Sequence, residues 1–332
     1  MRRRDFVRAI VGSATAWPLA PRAQQDQRVR HIGGELMADF SENVPEGRAV
    51  AAAFREELQK LGWTEGRNIR IDSRWAAADI EAMQRSAKEL VGSQPELIFS
   101  TNTPATAALL RQTRTIPIVF VQVTDPVGSG FVASIPRPGG NVTGFITMAP
   151  TMAGKWLEML KEIAPQVKRV AMLFNPATAT YFEYYLNPFK AAAPSFAVEA
   201  ITAPARDVSE LESVIAAQAR APNGGLIALP DSFLNAHRAE ATLLAARCRL
   251  PAVYAFRQFT EDGGLLSYGN DIVDNYRRAA TYVDRILKGA NPSELPVQAP
   301  VKFELVINLK TAKVLGLDVP LQLQQRADEV IE

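Results

Sequence analysis

The sequence predicts an α/β fold of two doubly wound lobes that are joined by hinge crossings. From Val29 onward, short apolar runs alternate with longer amphipathic segments, which is the pattern of repeated βα units. The same rhythm begins again after Pro150. The length of 332 residues exceeds what one hydrophobic core normally supports. No low-complexity linker separates the two halves, so several crossing segments are expected rather than one tether.

The first half contains short apolar or alternating segments, each followed by a segment of helical period. The helix that ends at Gly62, for example, places Val50, Phe54 and Leu58 on one face. The predicted strands are Val29–Glu35, Asn68–Trp75, Leu97–Ser100, Pro117–Val123 and Asn141–Thr147. The predicted helices are Ala49–Leu61, Ile80–Val91 and one that begins near Thr103.

The second half repeats this order and ends with a long amphipathic helix and a last strand. The predicted helices are Lys155–Ile163, Tyr181–Ala193, Val208–Arg220, Phe233–Cys248 and Tyr276–Gly289. The predicted strands are Arg169–Phe174, Ala197–Thr202, Gly225–Leu229, Ala252–Phe256, Leu265–Tyr268 and Val301–Leu309. We therefore expect lobe 1 to comprise residues 28–145 and 268–298, and lobe 2 to comprise 146–267 and 299–332. Hinges are expected near Gly144, Gly269 and Pro300.

The N-terminus has the pattern of a signal peptide over residues 1–23. Arg2, Arg3, Arg4 and Arg8 form a basic start, and a weakly apolar stretch follows that is too short to span a bilayer. Arg3-Arg4-Asp5-Phe6 resembles a twin-arginine signal, with an ordinary secretory signal or a disordered tail as alternatives. No later run of 18 apolar residues occurs. The expected location is therefore the periplasm, as an exported and soluble protein.

Composition and motifs argue against an enzyme. The net charge is +2, with one cysteine and two histidines, and no basic stripe that would bind nucleic acid. No nucleophile elbow, phosphate-binding loop or dinucleotide fingerprint is present. No residues have metal-ligand spacing. We expect no catalysis, no cofactor and no metal.

Polar residues follow several predicted strands at the point where each strand ends. In open α/β sheets ligands bind outside the carboxyl ends of the strands, where helix N-termini favour a carboxylate. A helix cap alone would explain any one of these segments, but their recurrence in two similar lobes indicates a shared cleft. The residues are Asn102, Thr103, Thr124, Asp125, Asn175, Asp231 and Ser232.

Aromatic and acidic side chains near the same strand ends extend the predicted site. Tyr181, Phe256 and Tyr268 could stack on a ligand, although core packing would also explain them. Asp125, Asp231 and Asp271 could pair with an ammonium group. Acids for an ammonium and helix N-termini for a carboxylate together predict a zwitterionic ligand.

Four segments resemble the family of ABC transporter substrate-binding proteins that includes the tryptophan/phenylalanine-binding type. They are PIVFVQVTDPVG (117–128), RPGGNVTG (137–144), GGLLSYG (263–269) and VKFELVINLKTA (301–312). The resemblance covers essentially the whole chain after the signal segment. It implies a type I periplasmic-binding-protein fold with three hinge crossings, and ligand contacts from the strand-end residues named above. The run Gly33-Gly34-Glu35-Leu36-Met37 departs from the family pattern, and Glu35 at the cleft edge is expected to change the ligand preference.

The predicted function is capture of a small molecule for an ABC permease of the inner membrane. The expected ligand is an amino acid, aromatic ones included, and the expected state is a monomer. An exported sensor that presents its ligand to a membrane receptor would have the same sequence features. A sugar-responsive repressor of this fold would need an N-terminal DNA-binding module of roughly 55–60 residues, where only about 27 precede the first strand. An exported enzyme lacks the required base and nucleophile.

Overall fold

The computed structural model describes residues 44–332 completely, residues 29–33 completely and residues 34–37 by their backbone. The predicted signal peptide lies outside these residues. None of the helices within the described ranges is both long enough and apolar enough to cross a membrane.

The first sheet is built from parallel strands in the order β2-β1-β4-β5-β6, and β3 pairs with the far end of β1. Helices lie on both faces of it. The elements are β1 (Arg30–Met37), α1 (Pro45–Lys60), β2 (Ile69–Ile71), β3 (Arg74–Trp75), α2 (Ile80–Gly92), β4 (Leu97–Thr101), α3 (Thr103–Leu110), β5 (Ile118–Val123) and β6 (Val142–Ile146).

The second sheet has the order β13-β12-β11-β10-β9-β7-β8, in which β11 and β12 are antiparallel. The elements that follow β6 in the chain, up to β10, are α4 (Met152–Ile163), β7 (Arg169–Phe174), α5 (Phe182–Ala192), β8 (Glu199–Pro204), α6 (Val208–Arg220), β9 (Gly224–Ala228), α7 (Ser232–Ala236), α8 (Arg238–Arg247) and β10 (Ala252–Tyr254). Those that follow are α9 (Arg257–Glu261), β11 (Leu266–Asn270), α10 (Ile272–Leu287), β12 (Phe303–Asn308), α11 (Leu309–Leu315), α12 (Leu321–Arg326) and β13 (Glu329–Ile331).

The chain crosses between the two sheets three times within residues 44–332. It leaves the first sheet after β6, returns from β11 into α10, and leaves again before β12. Helix α10 packs on the first sheet, where Tyr276 and Val283 share a core with Ile32, Phe54 and Leu58. This is a type I periplasmic-binding-protein-like α/β fold whose sheets are parallel except at the β11–β12 pair, which confirms the predicted fold class. The exact division of residues between two lobes stays a prediction.

The predicted strand Asn68–Trp75 is in fact two short strands. Both β2 and β3 pair with β1. The last pair with β2 joins Ile71 to Ile32, and the first pair with β3 joins Arg74 to Leu36. Between these two pairs the chain advances by three residues on the β2–β3 side and by four residues on β1. The ladder of β1 is itself irregular at this point. The two ladders therefore cannot form one continuous strand, and Asp72 and Ser73 connect them.

The predicted helix Phe233–Cys248 is also divided. His237 leaves helical geometry with φ −111° and ψ 29°, so that α7 and α8 are separate. No proline or glycine in the sequence marks this break. The Arg238 side chain, at the start of α8, reaches Glu46 of α1 and Asp262, and these tertiary ion pairs are compatible with the change of helix direction.

Candidate functional site

A cavity lies where the carboxyl ends of strands from the two sheets face each other. About 390 Å³ of space free of atoms is associated with it, its mouth included. Both sheets contribute to the walls, as expected for a ligand site in an α/β protein. The lining residues are Asn102, Gln122, Thr147, Tyr181, Pro230, Asp231, Ser232, Asn235, Phe256 and Ile272.

Asn102 connects the two walls of the cavity. It follows β4 and caps α3, where its Oδ1 accepts a hydrogen bond from the Ala105 N–H at 2.9 Å. Its Nδ2 donates to the Ser232 hydroxyl on the opposite wall at 3.0 Å. Asn102 has φ 58° and ψ 169°, a strained backbone conformation that residues other than glycine rarely adopt. One amide therefore caps a helix and joins the two walls.

Thr103 and Thr124 stabilise the wall of the cavity that the first sheet forms, which is called the first wall below. The Thr124 N–H donates to the Thr103 hydroxyl at 3.0 Å, and that hydroxyl donates to the Thr124 carbonyl at 3.2 Å. The Thr124 hydroxyl donates to Thr147 at 3.1 Å. Both residues are buried without lining the cavity, and together they fix the ends of β4, β5 and β6 relative to one another.

Gln122 lines the cavity from the end of β5, a position that was not predicted. It has φ +56° and lies at an irregularity in the β5–β6 ladder. It is 7% exposed, and neither its Nε2 nor its Oε1 has a partner among the described residues. An unsatisfied buried amide destabilises a fold by about 1–3 kcal/mol, and a left-handed residue other than glycine adds a similar order.

Asp231 organises the second wall, which is the wall of the cavity that the second sheet forms. Its Oδ2 accepts a hydrogen bond from the Asn175 N–H at 2.6 Å, and its Oδ1 accepts from the Phe233 N–H at 3.0 Å. The Thr178 hydroxyl also donates to Oδ1. Asp231 thus caps α7 and holds the loop after β7 against it. Asn175 is buried in that loop, where its Nδ2 donates to the Arg206 carbonyl at 2.9 Å, and it does not line the cavity.

The apolar part of the lining comes from Tyr181, Phe256 and Ile272. The Tyr181 hydroxyl donates to the Pro230 carbonyl, so the ring is held in place. Tyr268 is not in the lining. Its ring stacks on Phe303 with centroids 5.9 Å apart, and its carbonyl accepts from Trp156 Nε1 at 2.7 Å.

Two of the acids considered as ammonium partners lie outside the lining. Asp125 accepts from the Gly128 N–H at 2.8 Å and caps a turn. Asp271 pairs with Lys302 at 2.7 Å. Burial alone would raise the pKa of Asp271, but hydrogen bonds from Lys302 and from the Asp274 N–H lower it below its usual value. Asp231 is the one side chain with a formal charge among the lining residues that the structure describes.

The structure therefore gathers five of the predicted site residues at one cavity: Asn102, Tyr181, Asp231, Ser232 and Phe256. It places Thr103, Thr124, Asp125, Asn175 and Tyr268 around the cavity or away from it, and the side chain of Glu35 is outside the described part of the chain. Five lining residues were not predicted: Gln122, Thr147, Pro230, Asn235 and Ile272. Among these, only Gln122 could have been recognised from the sequence, because it is a polar residue inside an otherwise apolar strand. The described residues contain no group of His, Cys, Asp or Glu that could hold a metal ion.

Comparison with known proteins identifies a family, a relative and two similar solved structures. A family model described as "ABC transporter substrate binding protein" matches residues 45–331. A tyrosine-binding protein of Clostridioides difficile is 26% identical over 265 residues, which is 80% of this chain and 75% of that protein.

Two solved structures are similar over 91% of the chain. A conserved domain protein of Vibrio cholerae has a TM-score of 0.84 at 28% identity, with 100% of that protein covered. A domain from Streptococcus pneumoniae in complex with L-Trp has a TM-score of 0.83 at 24% identity, with 99% covered.

Proposed function

The chain belongs to the family of ABC transporter substrate-binding proteins, and from this premise we propose that it captures an aromatic amino acid by closing two lobes around the cavity described above. The observation that carries the proposal is this cavity, which both sheets line with amides, hydroxyls and aromatic rings. Flat apolar surfaces suit an aromatic side chain, and a lining of mostly neutral polar groups suits a zwitterion whose net charge is zero. The relatives named for tyrosine and for L-Trp support the same ligand class.

Closure supplies the mechanism. The Asn102–Ser232 hydrogen bond and the Arg238–Glu46 ion pair at 3.2 Å both join elements of the first sheet to elements of the second. Such contacts exist only when the walls are close together. A ligand that contacts both walls binds the closed form better and shifts the population towards it. No step in this mechanism makes or breaks a covalent bond.

The proposed setting is the periplasm, with an ABC permease as the partner that recognises the closed form. The basic N-terminal segment with its short apolar stretch supports export. A membrane receptor that senses the closed form is the second candidate partner. Deleting a neighbouring permease gene distinguishes the two, because only the transport function predicts loss of uptake of the ligand.

The first test is a melting experiment on ligand-free protein. Residues 1–23 are omitted, bound ligand is removed by unfolding and refolding, and the Tm is measured with each of the common amino acids. Ligand at about a thousand times its Kd stabilises the folded state by about 4 kcal/mol. A rise of roughly 8 °C or more is therefore expected with Trp, Tyr or Phe. A folded protein whose Tm responds to none of the amino acids would contradict the proposed ligand class.

The ion pair between the lobes leads to a second prediction. Arg238 and Glu46 are mostly buried, with side-chain exposures of 18% and 25%. Glu46→Gln should weaken ligand binding about two- to fivefold by titration calorimetry at low salt, because it removes a contact of the closed form. The difference should shrink in high salt.

Glu81→Gln is the matched control for Glu46→Gln, since Glu81 forms an exposed pair with Arg85 on α2, away from the cavity. Its affinity should equal that of the wild type. If Glu46→Gln also binds with wild-type affinity at low salt, the ion pair does not contribute to closure.

A further inference from the structure

Gln122 differs from the other polar residues of the cavity in having an amide without a partner. Asn102 and Ser232 bind each other, Asp231 accepts three hydrogen bonds, and Thr147 accepts one. Gln122 is more than nine-tenths buried, yet its Nε2 donates to no described atom and its Oε1 accepts from none. A buried amide in this condition is a position where a missing molecule would complete the hydrogen bonding.

A β-bulge delivers the Gln122 side chain to the cavity. Along β5, Phe120 packs in the core layer on one face of the first sheet, while Val119 and Val121 pack in the layer on the other face. Strict alternation would place Gln122 in the same apolar layer as Phe120. Val123 occupies that layer instead, and the pairing with β6 shifts between Val121 and Val123. The extra residue at Gln122 is removed from both layers and lines the cavity.

Burial by itself need not leave both polar atoms of a glutamine amide without a partner. Gln218 is 5% exposed and lies on α6, away from the cavity. Its Nε2 donates to the carbonyls of Arg169 at 3.0 Å and Gly225 at 3.1 Å, so its amide joins β7 to β9. The difference between the two glutamines indicates that the Gln218 amide stabilises the fold, whereas the Gln122 amide binds a molecule that enters the cavity.

We infer that Gln122 is a ligand-binding residue that holds the polar end of the captured molecule, with Nε2 donating to its carboxylate and Oε1 accepting from its ammonium. This assignment rests on the proposed capture of an amino acid. The oxygens of Asp231 already accept three hydrogen bonds from the protein, so the second wall has little free acceptor capacity. One amide presents a donor and an acceptor side by side, which matches the two charged groups of a zwitterion.

The test compares Gln122→Met with the matched variant Gln218→Met. Methionine keeps the length of the side chain and removes the amide. Gln122→Met should weaken binding of the best amino acid of the panel by about a hundredfold or more in titration calorimetry, because two hydrogen bonds to charged groups are lost. It should not lower the Tm of the ligand-free protein, because no internal hydrogen bond is removed. Gln218→Met should do the reverse: a lower Tm and an unchanged affinity.

A ligand analogue tests which group Gln122 contacts. The analogue is the amine that corresponds to the best amino acid of the panel without its carboxylate, and the wild type should bind it more weakly than the amino acid. Gln122→Met should weaken binding of this amine by a smaller factor than it weakens binding of the amino acid. Equal factors for both ligands would overturn the assignment of Nε2 to the carboxylate.

The outcomes separate this inference from the proposed function. If the wild type binds an amino acid and Gln122→Met binds it equally well, the inference is wrong and the proposed function stands. If the wild type binds no amino acid, the proposed function fails, and with it the zwitterion that Gln122 is assigned to hold. A Tm for ligand-free Gln122→Met as low as that of Gln218→Met would overturn the inference by itself, because the amide would then serve the fold.

Discussion

Replacing Asp231 by alanine is expected to lower the free energy of unfolding by about 3–5 kcal/mol and to abolish measurable ligand binding. The carboxylate accepts hydrogen bonds from the Asn175 N–H, the Phe233 N–H and the Thr178 hydroxyl, and the residue is 3% exposed. Alanine leaves these donors unsatisfied, at about 1–3 kcal/mol for each one that water does not reach. The loop after β7 and the start of α7 would then no longer be held together, and Ser232 would lose its position on the cavity wall.

The measurement is thermal and urea unfolding of Asp231→Ala beside Asp207→Ala. Asp207 is also an N-cap, since its side chain accepts from the Glu210 N–H at 2.8 Å, but it lies on α6 outside the cavity. Loss of this cap alone should cost about 1 kcal/mol and leave ligand binding intact. Similar stabilities and affinities for the two variants would show that Asp231 is an ordinary cap and does not organise the wall.

Gly269→Ala is expected to destabilise the protein by about 3 kcal/mol or more. Gly269 lies on β11, just before the chain crosses into α10. A Cβ at this position would lie 1.8 Å from the Ala255 carbonyl oxygen and 3.0 Å from its carbon. These are backbone atoms just after β10, which pairs with β11, so relief of the clash requires the strands to separate. The shift would also move Ile272 and Phe256, which line the cavity, and ligand affinity should fall with stability.

Gly154→Ala provides the control for Gly269→Ala. Gly154 is in the first turn of α4, and a Cβ there would meet no heavy atom within 4 Å. Alanine should be neutral or stabilise the helix by about 0.5–1 kcal/mol. A Gly269→Ala protein that melts at the wild-type temperature would mean that β10 and β11 can move apart without loss of pairing.

Part of the site could be predicted because capping is a local interaction. Asn102 and Asp231 each follow a strand and precede a helix, and a side chain that caps a helix needs only its own neighbours in sequence. The same pattern occurs at Asn175, however, which is buried in a loop bound to Asp231. Local pattern therefore identified residues at strand ends, but it could not say which of them line the cavity.

Gln122 and Ile272 show what local pattern misses. Gln122 lies in a strand whose other residues are apolar, and the bulge that turns its side chain out of the core depends on pairing with β6. Ile272 opens a helix that packs on the first sheet although it follows a strand of the second. Its place at the cavity depends on where the chain crosses, and apolar periodicity does not reveal this.

The sequence by itself determined the α/β class, the order of strands and helices, and the strand ends at which polar residues collect, because hydrophobic period and capping act within a few residues of the chain. Tertiary structure alone decided the division of Asn68–Trp75 into two strands, the break at His237, the bulge at Gln122 and the set of side chains that share the cavity. Each of these depends on register or packing between segments far apart in sequence. Register and packing of this kind are determined by how whole sheets and helices fit together, and no local sequence pattern encodes them.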